Sequence, residues 1–104
     1  MNDFPNTVAE LKKEIADCEE KISYEEGYIN RKQKLLEHEI RNRNELFRRS
    51  MPDRKKKREL LTRYADKIHL KQLDQHLAKE DLKQDQLRLN ALKACLAKLE
   101  KSSL

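Results

Sequence analysis

A chain of 104 residues has room for one domain, yet with 37% hydrophobic residues, 41% charged, one glycine and no tryptophan it cannot fill a conventional globular core. Such Lys/Glu/Leu-rich composition belongs to long helices or coiled coils that bury narrow stripes, and its regularly spaced Leu and Ile argue against full disorder. The net charge of +5 is uneven: residues 41–63 hold ten Lys/Arg against three Asp/Glu, a local +7, which leaves −2 for everything else.

Residues 1–6 read as a short tail. Thr7 followed by Glu10 has the spacing of a capping box, in which the hydroxyl accepts from a backbone amide that a helix start leaves orphaned. A first helix is therefore predicted over 7–49. Its apolar positions run Val8, Leu11, Ile15, Cys18, Ile22, Ile29, Leu36, Ile40 and Phe47, in steps of three, four and seven that make one seam. Glu25, Lys32, Glu39 and Arg43 interrupt that seam, so the middle of the helix is zipped more weakly than its start. Gly27 costs about 1 kcal/mol relative to Ala inside a helix. The period from Ile22 through Ile29 to Leu36 nevertheless continues across it.

Ser50-Met51-Pro52-Asp53 reads as a stop and a restart. The residue before proline is driven from the α region, proline suits only a helix's first turn, and Asp complements the N-terminal dipole. The sequence places the turn at 50–53, with Ser50 or Met51 as cap, and a second helix at 54–101, the two forming a single domain over 7–101. Leu61, Tyr64, Ile68, Ala78, Leu82, Leu89, Leu92, Leu96 and Leu99 make one track on that helix. Leu70, Leu73, Leu77, Leu87, Ala91 and Ala94 make another. Two tracks require two partners: the first helix folded back, and a second copy of the chain. The expected fold is all-α, an elongated antiparallel helical hairpin or coiled coil that associates into a dimeric helical bundle. Leu82, Leu89, Leu92, Leu96 and Leu99 are the residues assigned to that association.

The basic window is the candidate contact surface: Arg41, Arg43, Arg48 and Arg49 before the turn, then Arg54, Lys55, Lys56, Lys57, Arg58 and Arg63 after it. Arg41, Arg48 and Lys55 recur every seven residues if the helices are nearly continuous. Charge segregated in this way marks where something acidic docks. An acidic protein surface is one partner class, which makes the chain a coiled-coil adaptor, chaperone or assembly factor. Nucleic acid is the other, with Phe47, Tyr64, Asn42 and Asn44 beside the cations and a log–log salt slope of about −5 for six phosphates. Lys55-Lys56-Lys57-Arg58 also has the composition of a short nuclear import signal.

Other chemistry finds little support. His69 and His76 lie seven apart, two helical turns where a chelating pair uses one, so no metal or cofactor is expected. Cys18 and Cys95 form no CxxC pair and fall on apolar positions, the setting of buried reduced thiols. Folding about Pro52 sets Cys18 opposite a residue near 86, out of reach of Cys95. Carboxylates alternating with Lys, and the lack of a Gly-rich phosphate loop or nucleophile motif, argue against an enzyme and a small-molecule substrate. No apolar segment suggests a signal peptide or membrane partner, so a cytoplasmic location is expected, or a nuclear one in a eukaryote.

Residues 20 to 65, with Glu25-Glu26-Gly27-Tyr28 and the polar break near the middle, resemble tubulin-binding cofactor A, a family of three-helix chaperones for β-tubulin. The resemblance implies a third helix, but the later proline-marked break of that family is missing from this chain.

Overall fold

The computed structural model describes residues 7–102; the expected tail over 1–6 lies outside the described residues. Two helices make up the fold, α1 (Val8–Arg48) and α2 (Arg54–Ser102). The third helix implied by the cofactor A resemblance is absent among the described residues, because nothing interrupts α2 after Arg54.

Helix ends follow from local hydrogen bonding. At the start of α1 the Glu10 amide donates to Thr7 Oγ1 at 3.2 Å and the Leu11 amide to the Thr7 carbonyl at 2.9 Å. The helix then passes through Gly27 without a break or a positive φ. Neither Ser50 nor Met51 caps α2. Asp53 does, its Oδ1 accepting from the Lys56 amide at 3.0 Å and its carbonyl from the Lys57 amide at 3.1 Å. Pro52 thus stands outside the helix, and its fixed φ shapes the approach to the cap rather than the first helical turn. Since residues 49–53 separate the helices, the seven-residue recurrence of Arg41, Arg48 and Lys55 does not continue from one helix to the next.

Packing divides the chain into two compact units: residues up to Gly27 with those from Glu80 onward, and Tyr28–Lys79. In the first unit the segments of α1 and α2 run antiparallel. Glu14 meets Arg88 at 3.7 Å, and further along α1 Lys21 meets Asp85 at 3.3 Å. Leu11, Ile15, Cys18, Ile22 and Leu92 form its core, with Leu11 and Leu92 wholly excluded from water. Burying a leucine to that extent contributes roughly 1.5–3 kcal/mol. Leu82, Leu89, Cys95, Leu96 and Leu99 pack against this core. The five leucines assigned from sequence to association are therefore placed within one chain, facing α1.

The second unit is a helical hairpin around residues 49–53. Leu36 and Ile68 are buried in it, with Ile29, Ile40, Leu46, Leu61 and Tyr64 half-buried. Phe47, expected on the seam, is 70% exposed, and the adjacent Leu46 turns inward instead. The polar residues in the seam find partners. Glu39 pairs with Lys71 at 3.9 Å, Lys32 Nζ stands 5.3 Å from the Tyr28 ring centroid, and Tyr28 Oη donates to Asp74 at 2.9 Å. Buried Gln75 donates from Nε2 to Gln33 Oε1 at 2.8 Å, a contact with no signature in the apolar pattern.

Candidate basic interface at the helix turn

The Tyr28–Lys79 unit carries the whole basic window at its turn. Of its ten cations, Arg41, Arg48, Arg49 and Arg54 are exposed, as are Lys55, Lys56, Arg58 and Arg63. Among the described residues none of these eight pairs with a carboxylate within 4 Å. Three acidic residues share the window, and one of them, Asp53, spends its carboxylate on the α2 cap. The positive field at the turn is thus left almost uncompensated within the unit. A single acidic partner can neutralise several of these cations at once.

The two remaining cations have other engagements. Lys57 is half-buried, and its Nζ donates to the carbonyls of Phe47 at 2.9 Å and Arg49 at 2.8 Å while lying 5.8 Å from the Phe47 ring centroid. A cation at the last carbonyls of a helix meets the negative end of its dipole, so Lys57 closes the C-terminus of α1. Arg43 is half-buried and donates to Asn44 Oδ1 at 3.3 Å. Sequence reasoning grouped both with the contact residues. Only the folding of residues 49–53, which brings Lys57 beneath the end of α1, distinguishes its role from that of Lys55 and Lys56.

Phe47 stands among these cations as an exposed aromatic ring. Its neighbour Arg49 joins Asn42, Glu45, Leu46 and Tyr64 in lining an open groove of about 240 Å³. Ligand pockets usually span about 300–1,000 Å³, a range this groove does not reach. Nor does any group of three or more His, Cys, Asp or Glu among the described residues have an arrangement able to hold a metal ion. No described helix is long and apolar enough to cross a membrane.

Outside the turn, α2 leaves an apolar stripe uncovered. Leu70, Leu73 and Leu77 are 64%, 48% and 56% exposed, and recur at steps of three and four on one helix face of the Tyr28–Lys79 unit. In the other unit Leu87, Ala91 and Ala94 are likewise exposed. Cys18 is buried and Cys95 half-buried, both as free thiols, and Cys18 Sγ donates to the Asp85 carbonyl at 3.4 Å, one residue from the register expected for it. Comparison with protein-family models, curated proteins and solved structures found no match.

Proposed function

We propose that this chain is a non-enzymatic interaction module, an adaptor, chaperone or assembly factor, that docks an acidic protein surface onto its basic turn. The observation that carries the reading is the set of eight exposed cations without carboxylate partners among the described residues. Six of the eight are arginines, and an exposed Phe47 stands beside them. Arginine and aromatic side chains are enriched at protein interfaces, where an apolar anchor enters a pocket and planar guanidinium groups hold carboxylates with two parallel hydrogen bonds. Lysine supplies the same charge without that fork.

An acidic, Leu-containing helical peptide serves as probe for this geometry, with binding read by fluorescence anisotropy. Replacing Arg48, Arg49, Arg54 and Arg58 with Lys preserves net charge and should weaken binding at least tenfold, whereas Lys55→Gln with Lys56→Gln should cost less. The reverse ranking, with Arg→Lys silent and Lys→Gln abolishing binding, would transfer the turn to phosphate recognition, where charge alone sets affinity.

A second reading concerns assembly, and the exposed stripe of Leu70, Leu73 and Leu77 favours it. Here the chain pairs with its own copy, α2 against α2 and antiparallel. When Leu70 of one copy meets Leu77 of the other, Leu73 of each copy lies beside the two-fold axis. A patch that sets leucine against leucine about its own centre is what a symmetric dimer requires.

A further inference from the structure

In the unit that joins residues up to Gly27 with those from Glu80 onward, two acids occupy the seam between the helices. Glu25 of α1 and Asp85 of α2 face one another there, each side chain only 16% exposed. One ammonium serves both: Lys21 Nζ lies 3.3 Å from Asp85 Oδ2 and 3.9 Å from Glu25 Oε1. The second Glu25 oxygen, Oε2, is buried and has no hydrogen-bond partner. Nearby on α2 are Asp81, which adds negative charge, and Arg88, whose guanidinium is 3.7 Å from Glu14 of α1. The Cys18 thiol completes the surroundings, donating to the Asp85 backbone. Two partly desolvated carboxyls that share one cation resist double ionisation, and one proton placed between them gives the stranded oxygen a hydrogen bond to make.

We propose that Glu25 and Asp85 form a proton-gated latch: while one proton is shared between the two carboxyls the helices of this unit stay zipped, and its loss loosens them. Burial, and then the hydrogen bond and charge of Asp85, push the Glu25 carboxyl up to about 7 from an ordinary 4.5. Its hydrogen bond with Glu25, followed by Lys21, holds Asp85 below its ordinary range despite burial. Glu25 binds its proton more tightly folded than unfolded. Its stabilisation is therefore complete below about 4.5 and drains away as pH rises through about 7. Asp85 acts in the opposite sense, its stabilisation being lost only in acid, as pH falls below 3.8. Around neutrality the latch thus answers to Glu25. Opening uncovers the Cys18 thiol together with Leu11 and Leu92, all of which the closed unit keeps from water.

Amide hydrogen exchange on the full chain, corrected for the intrinsic pH dependence of exchange, reads this opening directly, with Tyr28–Lys79 as internal reference. Between pH 5.5 and 8.0 the opening constant of the latch unit should rise on the order of 25-fold, the ratio that follows from a carboxyl moving from 4.5 to about 7. Glu25→Gln keeps a neutral hydrogen-bond donor in place and should flatten that rise. Asp85→Asn should flatten it too by removing the opposing charge, which provides a second variant if the first folds poorly. Lys21→Met should move the midpoint to higher pH, since the ammonium favours the ionised acid. Equal protection at both pH values in the wild type, or an undiminished rise in both Glu25→Gln and Asp85→Asn, would overturn the latch.

Discussion

Lys57 shows how a residue's role departs from its composition. It belongs to a run of five consecutive cations within the window, yet it alone reaches back to two carbonyls at the end of α1, at 2.8 and 2.9 Å. Charge-assisted hydrogen bonds of this kind are worth about 1.5–3 kcal/mol when buried and less at the surface. Replacing Lys57 with Met should therefore lower stability in urea unfolding by about 1–2 kcal/mol, whereas Lys55→Met and Lys56→Met should stay within about 0.5 kcal/mol. Equal effects at all three positions would show that Lys57 is only another solvated cation. Asp53 offers a parallel case at the start of α2: Asp53→Ala should cost about 0.5–2 kcal/mol through loss of the cap, and Ser50→Ala close to nothing. Both contacts were hidden in the sequence because each depends on the path of residues 49–53, and Pro52 is compatible with more than one such path.

At the scale of the element, apolar periodicity separates the two faces of α2 well. The track from Leu61 to Leu99 lies inward, and the one containing Leu70, Leu73 and Leu77 lies outward. The same pattern could not say which track meets α1, since both have helical spacing and similar leucine content. It also failed near the turn, where Leu46 and Phe47 fit the seam equally well by spacing and only packing selects Leu46. Polar contacts in the seam were the least legible. Gln75 with Gln33 and Glu25 with Asp85 join residues 42 and 60 positions apart, and their pairing depends on a register that no local pattern encodes. The inward assignment is testable on α2 alone. Leu92→Ala, at a fully buried site, should cost about 2–5 kcal/mol in thermal or urea unfolding, and Leu73→Ala less than about 0.5 kcal/mol. Comparable losses at the two positions would contradict this division of α2 into an inward and an outward face.

For the whole molecule, charge and apolar surface suggest separate tasks: the turn for an acidic partner, the outward face of α2 for a second copy. Static light scattering at micromolar concentration should give a dimer mass, and Leu70→Asp combined with Leu77→Asp should reduce it to that of a monomer. Leu89→Asp with Leu96→Asp should instead disrupt folding around the buried Leu92, because those side chains pack within the chain. A monomeric wild type would remove the assembly reading and leave the basic turn untouched. Docking at the turn is tested most directly by titrating wild-type protein and Phe47→Ala, at about 150 mM salt where exposed charges are screened beyond roughly 8 Å, against two labelled probes. These are the acidic Leu-containing helical peptide and a single-stranded RNA of equal charge. The peptide should bind at least tenfold more tightly than the RNA, and Phe47→Ala should weaken the peptide complex, as removal of an interface anchor does. Tighter binding of the RNA, with an affinity that falls steeply with salt and ignores Phe47, would contradict an acidic protein partner at the turn.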